Sequence, residues 1–146
     1  MQLKTRTTDG GKSTSGIRDT NDCTIRALAI SAGIPYEDAH RMGVESGRKQ
    51  GRGHSPHRLL SQAKKYGITY RKTRYKGVTI QRFIKENMSG HYYVATNRHA
   101  FAIVNGIICD SHPSLNRPLQ RLEEAYLMLN PKLTSAAEVY KNRHSF

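Results

Sequence analysis

At 146 residues the chain fits the length of one domain and can bury a core, although 8% aromatic residues and no Trp make that core a modest one. No run of 18 apolar residues occurs, so no helical membrane span is expected, and the opening Met-Gln-Leu-Lys reads as no secretory signal. The formal charge of +13 favours a polyanionic partner or a strongly solvated basic surface. Two cysteines, Cys23 and Cys109, read as reduced thiols of a cytosolic compartment, with a disulfide between them as the lesser alternative.

Residues 2–6 read as a short edge strand, and 7–20, rich in Gly, Ser, Thr and Asp, as a loop. The run Cys23-Thr-Ile-Arg-Ala-Leu-Ala-Ile-Ser-Ala32 is a helix that Asn21 or Asp22 caps and Gly33 ends. Only Arg26 interrupts its apolar character, so it should be largely buried. Pro35 opens a second helix with Glu37 and Asp38 in its first turn, ending near Gly43 or Gly47. Gly47–Gly53 is then a basic loop.

Ser55-Pro56 starts a third helix, with Leu59, Leu60 and Ala63 facing inward and Gly67 as its stop. Residues 68–74 alternate as a half-buried strand. Thr79 caps a short helix carrying Ile80, Phe83 and Ile84. Tyr92–Thr96 is a strand that Asn97-Arg98 turns into the next one. Asn105-Gly106 between two apolar runs is the strongest hairpin signal in the chain, because both turn residues must accept positive φ. These strands form an antiparallel meander. Leu119–Leu129 has a helical composition, but a further strand would extend the sheet, and strand is preferred. Residues 130–146 read as a tail with one helical turn after Thr134. The whole is an α+β domain over 1–146 with a basic segment at 41–76.

The Asn105-Gly106 turn sets a register. It pairs Val104 with Ile107, Ile103 with Ile108, Ala102 with Cys109 and Phe101 with Asp110. His99 then lies opposite His112, with Asp110 as its diagonal neighbour on one sheet face and Cys109 on the other. Cys23, at a helix start where the dipole favours a thiolate, is the candidate nucleophile. His99 is the candidate base, Asp110 its orienter, and His112 an alternative base. Asn21 either donates to an oxyanion, together with the Cys23 backbone N–H, or caps the helix. Asp22 opposes thiol ionisation unless its carboxylate is spent on capping. Cys23, His99, Cys109 and His112 are zinc-type ligands, but no tight Cys-x-x-Cys pair exists and Cys109 faces away, so no metal and no other cofactor is expected.

From Arg41 to Lys76 eleven Lys and Arg face one acid, Glu45, for a net charge of +10. Arg48, Lys49, Arg52, Arg58, Lys64, Lys65, Arg71 and Lys72 are the candidate contacts to nucleic acid or another polyanion. The core needs only Leu59, Leu60, Ala63 and Ile68 from this stretch, so its cations are expected on one face away from Cys23.

With these residues in view, the chain resembles small papain-like proteins of bacteriophage and bacterial genomes, mostly without assigned function. The likeness rests on Asn21-Asp22-Cys23 with Thr24–Ile30, Gly33–Glu37, Gly90–Val94, His99–Gly106 and Asp110-Ser111, about half of the chain. It implies a papain-like α+β fold in which the cysteine helix packs on an antiparallel sheet bearing His and Asp. It implies a cysteine hydrolase acting on a peptide, isopeptide or related amide of a protein substrate, or a thiol acyltransferase built from the same parts. It also implies a phage-encoded protein of the host cytoplasm, with virion association as the other location. Papain-like peptidases often carry Gln six residues before the cysteine; here that position is Ile17. The rival class is a non-enzymatic basic module that binds nucleic acid or a host protein on the same scaffold.

Overall fold

The computed structural model describes residues 2–132, so the tail turn expected after Thr134 lies outside the described residues. Among these residues the chain is a mixed α+β fold with a six-stranded mixed sheet and five α-helices. Three strands form the expected meander: β3 (His91–Thr96), β4 (His99–Val104) and β5 (Ile107–Asp110). β1 (Thr5–Thr7) adds in parallel to β5 as one edge. β6 (Glu124–Met128) pairs antiparallel with β3, and β2 (Tyr70–Lys72) closes the other edge beside β6. The order is β1-β5-β4-β3-β6-β2. The ambiguous stretch 119–129 is thus a strand over most of its second half. It extends the sheet from β3, while β1 covers the free side of β5.

Asn105 (φ 49°) and Gly106 (φ 78°) take the left-handed conformation that the tight turn demands. The pairs Val104–Ile107, Ile103–Ile108 and Ala102–Cys109 form as the turn predicts. The His99–His112 pair does not. β5 stops at Asp110, and His112 is exposed at the start of a 3₁₀ turn, Pro113–Leu115. The Pro-containing turn pulls the chain out of the ladder, because a proline has no N–H to give it.

α2 (Cys23–Ala32) lies across β4 and buries eight of its ten residues. α3 (Tyr36–Glu45) and α4 (Pro56–Lys64) pack on the same side. Gly43 lets α3 approach α2 closely: a Cβ there would fall 2.4 Å from the Ile25 side chain. α5 (Ile80–Glu86) covers the opposite face with Ile80, Phe83 and Ile84 against Val94, Phe101, Ile103 and Ile108. Ser55 and Thr79 cap α4 and α5 through their side chains, accepting from Arg58 and Arg82 N–H. The loop expected over 7–20 instead holds the end of β1 and one helical turn, α1 (Lys12–Ser15). The strand expected over 68–74 shortens to three residues. No helix among the described residues is long and apolar enough to cross a membrane.

Candidate functional site

Residue alternation puts His99, Phe101 and Ile103 on the α5 side of β4, with Ile108 and Asp110 beside them on β5. The His99 ring stacks on Phe101 at 5.8 Å between centroids, which fixes its plane along the strand. Its Nε2 donates to Asp110 Oδ2 at 2.7 Å. Asp110 is buried and receives two further bonds: Asn116 Nδ2 to Oδ2 at 2.8 Å and its neighbour Ser111 N–H to Oδ1 at 2.8 Å. The carboxylate is therefore locked in place before any substrate binds.

Cys23 approaches from the other layer. α2 packs on the Ala100 and Ala102 face, and its first residue reaches the end of β4. There the thiol and the His99 ring line the same cleft, and the ring and the Ala100 backbone both favour the ionised thiol. Nε2 is taken by Asp110, so Nδ1 is the ring nitrogen left for sulfur. A thiol and a His–Asp pair that lie on opposite sheet faces thus meet at one strand end.

The electrostatics follow the geometry. Burial alone would raise the Cys23 thiol, but the bonds from His99 and the Ala100 backbone, with the charges of His99 and Arg26, bring it below the usual thiol value. Burial works against the His99 imidazolium, yet Asp110 and Cys23 hold its pKa up at about 9. Burial would raise Asp110; the His99 bond and charge, then Asn116 and the Ser111 N–H, keep it below the ordinary carboxylate value. Both shifts run toward the charged forms, thiolate and imidazolium. Cys109 is the opposite case. It is buried with Ile30 and Ala102 on the α2 face, and burial pushes its thiol up to about 12. Both cysteines are free, so the alternative disulfide does not form.

Several expectations need correcting. His112 is not placed as a base: it is exposed, and among the described residues it meets its neighbour Ser111, with Nδ1 3.3 Å from Oγ. The Asn21 amide neither caps α2 nor turns to the thiol; it donates to the Gly51 carbonyl at 2.9 Å. Asp22 is the cap residue, but its side chain makes no capping bond. Its buried carboxylate instead accepts from Tyr36 Oη at 2.6 Å and pairs with Lys12 at 3.0 Å and Arg26 at 3.7 Å. The charge that would oppose thiol ionisation is thus met by two cations.

Arg48 is no surface cation. It is buried and grips Asp19, with Nη1 on Oδ2 at 2.7 Å. Asp19 also holds His40 Nε2 at 2.8 Å and the Gly51 N–H at 2.7 Å, which pins the basic loop to the approach to Cys23. The other ten Lys and Arg of 41–76 are exposed, among them Lys49, Arg52, Arg58, Lys64, Lys65, Arg71 and Lys72. Arg41 pairs with Asp38 and Lys72 with Glu124. Gly53–His57 of this segment forms one wall of the cleft that Cys23 lines, and none of the segment's Lys or Arg is among the lining residues.

That cleft has a volume of about 550 Å3. Cys23, Thr24, His99 and Ala100 line it, with Ala95, Thr96, Arg98, Glu123 and Glu124 opposite the 53–57 wall. Sequence reasoning missed Asn116, because nothing in its loop marks it as a partner of Asp110. It also passed over Thr24 and Thr96, whose type suits helix and strand without any chemical role. No group of three or more His, Cys, Asp or Glu in metal-holding geometry occurs among the described residues. Comparison with family models, with curated proteins and with solved structures returned no match.

Proposed function

We propose that the protein is a papain-like thiol hydrolase that cleaves a peptide, isopeptide or related amide. The observation that carries this reading is that Cys23 and His99 line one cleft while the buried Asp110 bonds the Nε2 of that ring from behind. Cys23 attacks the carbonyl carbon as thiolate. His99 then gives its proton to the departing amine and later takes one from water to release the acyl group. Asp110 keeps the ring in the tautomer that presents Nδ1 to sulfur. A thiol acyltransferase would use the same residues and differ only in the acceptor of the acyl group. The phage-encoded origin, and with it a host-cytoplasmic or virion setting, rests on the sequence resemblance.

An electrophilic thiol probe tests the reading. Labelling at neutral pH should fall on Cys23 and spare Cys109, and His99→Ala should slow it. A panel of fluorogenic peptides then separates hydrolysis from transfer to an added amine. Equal labelling of both cysteines in the folded protein, unchanged by His99→Ala, would sink the proposal. In that outcome the basic-module reading leads. It is favoured by the exposed cations of 41–76, of which, among the described residues, Arg41 and Lys72 pair with a carboxylate. It requires binding to a nucleic acid that weakens steeply with salt and ignores Cys23→Ala.

A further inference from the structure

Attack by Cys23 on a carbonyl creates an oxyanion, and the side chains that sequence or family resemblance would offer for it are not placed to help. The Asn21 amide is spent on Gly51, and Ile17, six residues before the nucleophile, packs against the core. The donors present are those of α2 itself. In its first turn Ile25 and Arg26 N–H both bond the Asp22 carbonyl, while the N–H groups of Cys23 and Thr24 have no acceptor among the described residues. The side chain of the cap residue, Asp22, makes no capping bond here.

A second, independent feature points to the same spot. Thr24 is 5% exposed and lines the cleft beside Cys23, yet its hydroxyl has no partner among the described residues. A buried hydroxyl left unsatisfied destabilises the fold, and a catalytic role is one reason for such a group to be kept. Its position is fixed, because Tyr93 Oη donates to the Thr24 carbonyl at 3.1 Å. Thr96 has the same kind of orphaned, buried hydroxyl, but stands opposite His99 in the β3–β4 ladder, on the side of the base.

We infer that the Thr24 hydroxyl is an oxyanion donor, acting with the Cys23 and Thr24 N–H groups at the open first turn of α2. This rests on the thiol-hydrolase reading and adds to it a residue that takes the place of an amide side chain. In the step itself the thiolate electron pair forms the S–C bond. The carbonyl π pair moves onto oxygen, where Thr24 Oγ1–H meets it. The pair then returns, the leaving group departs with its electrons, and a thioester remains on Cys23. Donors of this kind act on charge that exists only after attack, so they accelerate acylation and leave simple thiol alkylation alone.

The test compares two reagents on the same thiol. p-Nitrophenyl acetate acylates through an oxyanion, whereas iodoacetamide alkylates by displacement without one. Thr24→Val should slow acylation of Cys23 by roughly tenfold or more while alkylation stays within about twofold. Thr24→Ser should retain acylation, and Thr96→Val should not reproduce the loss. Loss of both reactions together, loss with Thr96→Val in place of Thr24→Val, or no loss at all overturns the inference. The alkylation arm keeps the two proposals apart. A wild-type Cys23 that fails to alkylate removes the thiol-hydrolase reading and this inference with it. A Cys23 that alkylates normally but acylates regardless of Thr24 removes only the inference.

Discussion

Among the described residues the molecule contains two Asp–His pairs of nearly equal geometry. His99 Nε2 lies 2.7 Å from Asp110, and His40 Nε2 lies 2.8 Å from Asp19. Their third partners differ. Asp110 has neutral donors, Asn116 and the Ser111 N–H, and the far side of its histidine meets a thiol at a cleft. Asp19 has Arg48, a full positive charge, and the Gly51 and Thr20 N–H groups. Burial would raise Asp19, but Arg48 first, then Gly51 and His40, hold it far below the ordinary carboxylate value. A carboxylate beside an imidazole is therefore not in itself a catalytic device. Where a guanidinium compensates the carboxylate, the pair is a structural lock. Where only neutral groups do, the charge is left to favour the charged form of an imidazole that stands beside a thiol.

The largest effect expected from breaking this contrast is at the lock. Asp19→Asn leaves Arg48 buried without its counter-charge and should cost about 3–5 kcal/mol in denaturant unfolding. Alkylation of Cys23 in the fraction that stays folded should change little. A stable Asp19→Asn protein with an altered Cys23 rate would erase the distinction.

His99→Ala should slow Cys23 alkylation at pH 7 by roughly ten- to a hundredfold, because the thiolate loses its cation. The same change has a pH signature in stability. The His99 pKa is raised from 6.5 to about 9 on folding, so its contribution is fully present below 6.5 and is lost as pH rises through about 9. The stability difference between wild type and His99→Ala should shrink across that window when urea melts are compared pH by pH. A constant difference would mean that no charged histidine stands beside Asp110.

Asp22→Asn should cost about 1–2 kcal/mol, since it weakens the bonds from Tyr36 and Lys12. Faster alkylation of Cys23 is the outcome to expect only if Asp22 opposes the thiolate, and its pairing with Lys12 and Arg26 argues against that. Thermal melts and alkylation rates on one preparation decide it. The smallest effect is at Asp110→Asn, whose single amide oxygen, in the place of Oδ2, still accepts from His99 and Asn116 while the Ser111 bond is lost. A loss of a few-fold in alkylation is expected, through ring orientation and a weaker hold on the imidazolium. A loss as large as that of His99→Ala would show that the charge of Asp110, and not its position, does the work.

The sequence by itself determined what depends on local backbone chemistry. Asn105-Gly106 tolerates positive φ, so it fixed the turn, the register from Val104 to Ala102 and the placing of Asp110 beside His99. Ser55, Thr79 and Gly33 marked helix ends for equally local reasons, and Cys23 at a helix start was visible from the residues before it. The tertiary structure decided every contact between charges distant in sequence. Arg48 reads as one more cation of a glycine-rich loop until Asp19, 29 residues away, buries it. Asp22 reads as a threat to the thiolate until Lys12 and Tyr36 take up its carboxylate. Asn116 and Thr24 carry no mark in the sequence at all. A turn or a cap is set by a few neighbouring dihedrals, whereas the fate of a polar side chain depends on which opposite group the packed layers bring within about 3 Å of it.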